Sequence, residues 1–293
     1  MQIKHEYLTS IGPDLFHYTD LAGLKGILEN HDLWLTHSRF CNDDEEMTHG
    51  YSVAKAAITE LRNAGTVAGN YPDLIEAFLQ EPEGVYICCF CEQDNLLSQW
   101  RNYAANGTGV SIQINTMWFS QLTGPDCKVG LLRFWKVYYD PLKQRGIIAE
   151  AINRFRPGDQ QNLGQSDEQL ARKAADAIAF FIPTFKNPDF HEENEWRLIY
   201  TPEPAGTATT LVPEPRFRVG RNMLTPYYSL QDLIKASQSP SPLPMIPTPL
   251  PILRIHIGPS PNKLLNAQSA RMLLAQHGYP TETLKISAIP YRG

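Results

Sequence analysis

VYICCFC (residues 85–91), NLLSQWRNYA (95–104) and GVSIQIN (109–115) follow one another with only a few residues between them. The first is short, β-branched and aromatic, so it reads as a buried strand. The second has the composition of a helix. The third alternates, with Val110, Ile112 and Ile114 on one face, and reads as a half-buried strand. A strand, a helix and a strand in about 30 residues exclude an all-helical chain and an all-β one.

Working outward, the same mixture continues on both sides. Toward the N-terminus, Leu21, Leu24, Ile27 and Leu28 form one helical stripe over Asp20–His31, with Thr19 or Asp20 as its cap. Leu33-Trp34-Leu35 reads as a strand. Asp43, Asp44, Glu45 and Glu46 open a helix running to about Ala64, where acid in the first turn suits the helix dipole. Toward the C-terminus, Lys128–Tyr139 holds one or two strands, and helices are expected near 143–155 and 167–182. Trp196–Tyr200 is a strand, and Leu211–Tyr228 is made of strands and turns. Strand Ile252–Ile257, helix Asn262–His277 and strand Leu284–Ser287 follow. Residues 237–251 hold six prolines and read as a stiff loop inserted in the fold. The elements do not alternate as in a doubly wound sheet. The expectation is one α+β domain over 1–293 with helical insertions.

The chain has 293 residues, 42% of them hydrophobic and 19% charged, which suffices for a sizeable core. A net charge of −5 argues against broad nucleic-acid binding through a basic surface. No run of about 18 apolar residues is present, and the N-terminal stretch lacks the apolar centre of a signal peptide, so no membrane and a cytoplasmic location are expected. The five cysteines are odd in number and unevenly spaced, which suits reduced thiols. Cys88 and Cys89 would face opposite sides of their strand, so the cysteine run reads as core and no metal is expected. Neither a dinucleotide fingerprint, a P-loop nor a nucleophile elbow occurs.

The residues that could carry chemistry are few. His17-Tyr18-Thr19 stands before the first helix. Arg39 lies in an acidic loop after a strand. Ser98, Arg101 and Tyr103 share the helix before Val110. Glu192-Glu193-Asn194-Glu195 precedes a strand, and in an extended chain Glu193 and Glu195 point the same way. Like charges held together call for solvent, a cation or a ligand. The plainer reading is a solvated acidic turn with Glu195 and Arg197 paired on one face.

HYTDLAGLKGIL, LWLTHSRFCNDDEE, YICCFCEQDNLLSQWRNYAANGTGVSIQI, NEWRLIY, LRIHIGPS and ISAIPYR occur in this order. Together they resemble the mostly bacterial "domain of unknown function" family 2971, from about Phe16 to Arg292. The opening H-Y-T before a helix is similar to that of DarT-type DNA ADP-ribosyltransferases, and the E-x-E before a strand to that of many ADP-ribosyltransferases. The resemblance implies an ADP-ribosyltransferase-like split β-sheet core with NAD as substrate. The acceptor would be an unidentified protein or nucleic acid, in a toxin or phage-defence effector, or water in NAD glycohydrolysis.

On this resemblance His17, with Tyr18 and Thr19, binds the adenosine ribose. Glu195 is the catalytic carboxylate and Glu193 the acceptor-side one. Cleavage of the nicotinamide–ribose bond develops oxocarbenium character, which a fixed carboxylate stabilises. Arg39 and Arg101 would hold the pyrophosphate. The middle motif is left among Tyr103, Ser98 and Ser111. The alternative is a module of the same fold that binds a nucleotide or partner without turnover. A metal-assisted hydrolase built on Asp43, Glu46, Glu193 and His191 is a third reading, weakened by the scatter of those residues.

Overall fold

In the computed structural model the described residues are 14–41, 47–65, 67, 69–80, 84–115, 117–122, 132–202, 213–220, 223–236 and 249–290. They group into two compact units, one of residues 1–42, 86–136 and 193–293, the other of 43–85 and 137–192. Asp43, Glu46, Cys127, residues 237–248 of the proline loop and Tyr291-Arg292 of the final motif lie outside the described residues.

The first unit carries a ten-stranded, mostly antiparallel sheet. Its strands are β1 Leu15–Thr19, β2 Trp34–His37, β3 Tyr86–Cys91, β4 Val110–Ile114, β5 Arg133–Lys136, β6 Glu195–Tyr200, β7 Arg216–Val219, β8 Leu224–Ser229, β9 Ile252–Ile257 and β10 Leu284–Ile286. Helices α1 (Leu21–Asn30), α4 (Leu97–Tyr103), α5 (Met117–Leu122), α8 (Leu230–Ala236) and α9 (Lys263–Gln276) belong to the same unit. Asp20, not Thr19, caps α1, accepting from the Gly23 N–H at 2.6 Å. Thr19 Oγ1 fills the space that a Cβ on Gly23 would need.

The strand order is β10-β9-β4-β1-β3-β2-β8-β7, with β6 and β5 leaving by the other edge of β3. Along that other edge β6 pairs with all six residues of β3, from Tyr86↔Tyr200 to Cys91↔Glu195. The first edge is shared. β1 meets it only at Phe16↔Cys91, and β2 only at Thr36↔Ile87 and His37↔Tyr86. Between these pairs, at Cys88–Phe90, no residue of β1 or β2 is paired with β3. The sheet forks there into a β1-β4-β9-β10 wing and a β2-β8-β7 wing.

Two faces follow from the register, because directly opposed residues share a face and side chains alternate. Cys88, Phe90, Trp196, Leu198, Leu35 and Tyr228 lie in the main core together with Val110, Ile112 and Ile114. Phe16, Tyr18 and Cys91 lie on the other face with Trp100 and Ala104 of α4. The split of Cys88 from Cys91 between the two faces agrees with a strand whose thiols diverge.

The second unit is helical: α2 Thr48–Ala64, α3 Tyr71–Phe78, α6 Pro141–Arg154 and α7 Asp167–Phe181. It is made of two excursions of the chain, between β2 and β3 and between β5 and β6. Ser166 and Gln169 close a capping box on α7. The wholly buried Tyr71 donates to the Phe155 carbonyl at 2.8 Å. Gln144, also wholly buried, donates to the Tyr138 and Lys186 carbonyls at 2.5 and 2.9 Å.

Candidate functional site

At the fork, β3 has a carbonyl with no strand to accept from. His17 supplies the donor: its Nδ1 lies 2.9 Å from the Cys89 oxygen. The carbonyl can only accept, so Nδ1 carries the proton and Nε2 presents a lone pair. Among the described residues His17 makes no further hydrogen bond beyond a 3.8 Å contact to the Cys88 sulfur. Burial holds its pKa below the usual histidine value and the Arg218 charge adds to this, while the Cys89 hydrogen bond acts in the opposite sense. The imidazole is therefore neutral at neutral pH. Burial pushes the neighbouring Cys88 thiol up to about 12.

Two residues beyond, on β6, stands a buried ion pair. Arg197 Nε donates to Glu195 Oε1 and Nη2 to Oε2, both at 2.9 Å. The Arg197 side chain is 0% exposed and that of Glu195 6%. The pair is thus the expected same-face couple, but it is sealed in the protein and not solvated. The path between Glu193 and Glu195 is not extended either. Glu193 ends a 3-10 turn over Pro188–Glu193, Asn194 takes a left-handed conformation at φ 40°, and Glu195 begins β6. Asparagine is among the residues that tolerate this corner. Glu193, also buried, accepts from the Tyr103 hydroxyl at 3.0 Å. Burial pushes the Cys91 thiol up to about 12, with both glutamates adding to the effect.

The structure thus brings Tyr103 to Glu193, and both glutamates to the neighbourhood of Cys91. His17 does not join them on one face. Phe16, Cys91 and Glu195 share a face, whereas the His17 ring lies with Phe90, centroids 5.7 Å apart. Tyr18 is committed elsewhere: its hydroxyl donates to the Gln93 carbonyl at 2.8 Å and accepts from the Leu96 N–H at 3.1 Å. It fixes the loop that leads into α4. Thr19 pairs with Val110 at the end of β1. Arg39, in a 3-10 turn after β2, and Arg101, on α4, are exposed. The Ser98 hydroxyl is buried without a hydrogen-bond partner among the described residues. Ser111, 1% exposed, donates to the Asp94 carbonyl at 2.8 Å.

The β2-β8-β7 wing adds residues that the sequence reading did not single out. Trp34 stacks on Tyr227 at 4.5 Å and 29°. Arg218 donates to the Thr36 hydroxyl at 2.9 Å and lies 5.9 Å from the Trp34 ring. The alternation Arg216-Phe217-Arg218 was the available signal, since it places two cations on one face of a strand.

Residues 99–198 match the family described as Protein of unknown function (DUF2971). The DUF2971 match covers about a third of the chain, including Arg101, Tyr103, Glu193, Glu195 and Arg197, while His17 and the fork-lining β2 precede it. No curated protein and no solved structure matches the chain. Among the described residues no helix is long and apolar enough to cross a membrane, and no group of three or more metal-ligating side chains occurs.

Proposed function

We propose that the fork in the sheet is an NAD site and that the chain is an NAD-dependent ADP-ribosyltransferase, or an NAD glycohydrolase, acting in the manner of a split-sheet ADP-ribosyltransferase. The observation that carries this reading is the gap on β3 between β1 and β2, with neutral His17 in it and its Nε2 meeting no hydrogen-bond donor among the described residues. A neutral imidazole acceptor of this kind suits a ribose hydroxyl. Because strand pairing is interrupted at the gap, a dinucleotide laid along it would meet His17 on one side and the Cys91 face, with Glu193 and Glu195, on the other. Glu195 would orient the nicotinamide ribose and offset its developing positive charge. Glu193, held by Tyr103, would face the acceptor. Of the three middle-motif candidates, Tyr103 is the one tied to a glutamate.

A second reading, nucleotide binding without turnover, draws on the Arg197 pair. A carboxylate whose two oxygens already accept from a buried guanidinium has less field to offer a cationic transition state.

The test is release of nicotinamide from NAD by the wild type, with and without cell lysate, set beside His17→Ala and Glu195→Gln. The transferase or glycohydrolase reading expects release that both substitutions abolish. NAD binding without release, in lysate as well, would replace it by the binding reading. No NAD binding at all would overturn both.

A further inference from the structure

We propose that Arg218 is a phosphate-holding residue of the fork, selecting ligands that carry a diphosphate over plain nucleosides. The inference deepens the nucleotide reading of the fork and rests on it. Arg218 stands on β7, an outermost strand of the sheet, opposite Thr225. Its guanidinium spans β8 and reaches Thr36 of β2, the strand that forms one side of the gap. Thr36 is itself 9% exposed, so the hydroxyl that receives Nη2 is fixed by its surroundings. The Trp34 ring, braced by Tyr227, supports the same guanidinium. An arginine anchored at one N–H and rested on an aromatic has lost much of its rotamer freedom before any ligand arrives, which lowers the cost of binding.

Anchoring does not neutralise it. Among the described residues no carboxylate pairs with Arg218, and Thr36 takes one of its five N–H donors. The contrast lies two residues away on the same face, where Arg216 is paired with Asp232 at 2.6 Å. The anchor of Arg218 stands at the edge of the gap: Thr36 pairs with Ile87, the residue of β3 just before the unpaired stretch, and the register places Arg218 on the Cys91 face of the sheet. An unneutralised planar donor fork at the edge of the gap is suited to an anionic diphosphate lying along it.

The probes are ADP-ribose, adenosine and inorganic pyrophosphate, titrated calorimetrically into the wild type, Arg218→Gln and Arg218→Lys. Arg218 is exposed, so the variants are expected to fold, and circular dichroism checks this. Losing charge-assisted hydrogen bonds should weaken ADP-ribose roughly 10- to 100-fold in Arg218→Gln, with a smaller loss in Arg218→Lys. Adenosine should bind the wild type and Arg218→Gln alike. Equal ADP-ribose affinity in wild type and Arg218→Gln would overturn the role of the arginine while leaving the nucleotide reading in place. Arginine-dependent binding of pyrophosphate without any of adenosine would support Arg218 as the phosphate holder and count against a nucleoside in the fork. Failure of the wild type to bind any probe would overturn both.

Discussion

Replacing Arg197 by methionine removes the guanidinium and leaves the Glu195 carboxylate in the protein interior. The donor pair is bidentate at 2.9 Å and 2.9 Å, and both side chains are sealed from water. Strand β6 lies between β3 and β5, with Arg197 opposite Cys89 on one side and Trp135 on the other, so neither partner can swing out to solvent without parting two ladders. A buried charge stripped of its partner costs about 3–5 kcal/mol. Against a total stability of roughly 5–15 kcal/mol, this is a severe loss. Glu195→Gln keeps the shape and one acceptor but takes the carboxylate charge from the wholly buried Arg197, and should also cost about 3–5 kcal/mol. In the double variant both charges of the pair are gone, so its cost should fall below the sum of the two singles. Urea denaturation, followed by tryptophan fluorescence and far-UV circular dichroism, reads all three. A cost for Arg197→Met below about 1 kcal/mol, with the two substitutions additive, would refute the reasoning. The same arithmetic bears on any activity measured for Glu195→Gln, which must be normalised to its folded fraction.

Stability should fall on acidification below the ordinary histidine pKa of 6.5. His17 and His256 both have lowered pKa values in the folded state, by burial first, so the unfolded chain takes up protons at a higher pH than the folded one. Their contribution is complete above about pH 6.5 and declines below it. Urea midpoints at about pH 7.5 and 5.5 should differ less in His17→Asn than in the wild type, and an equal difference would remove His17 from the account. Gly258→Ala should cost about 3 kcal/mol, because a Cβ there would lie 2.3 Å from the Gly107 oxygen and 3.0 Å from that of Gly109. Gly146→Ala, in α6 with nothing within 4 Å of the new Cβ, should instead stabilise by about 0.5–1 kcal/mol; denaturation midpoints decide both. Cys88 and Cys91, their thiols pushed up to about 12, should resist iodoacetamide near pH 8 in the native protein and react once it is unfolded, as read by peptide mass spectrometry.

Local pattern carried most of the elements. Strand β3, the clean alternation of β4 and the stripe of α1 were all visible as runs of a single period. The short helices α3, α5 and α8 were not, since six to eight residues give too little of a 3.6-residue period to stand out. Alternation also misled in one respect. It marks Ser111 and Gln113 as an open face of β4, whereas they are 1% and 5% exposed, with the Asp94 carbonyl and the Asp14 carboxylate as their acceptors. The fork itself was out of reach, because which strands share an edge of β3 is a matter of non-local register. Glu193 and Glu195 show the same limit at residue scale. Their spacing implies one direction only if the chain is extended, and one left-handed residue, Asn194, removes that premise.

That corner also separates the work the two carboxylates can do. Arg197 takes a lone pair on each oxygen of Glu195, so under the proposed reading a ribose hydroxyl would have to approach it from another direction. What such a locked carboxylate offers is orientation: it cannot rotate, and hydroxyl positions relative to it are correspondingly narrow. Glu193 meets a different kind of donor, the neutral hydroxyl of Tyr103. A phenol can turn away from a carboxylate at the cost of one hydrogen bond, whereas a buried guanidinium cannot leave without stranding a charge. In the proposed chemistry, positioning therefore belongs to Glu195 and any exchange of partners during a reaction to Glu193. The turnover reading stands or falls on whether a cation can form beside the first while the second changes hands.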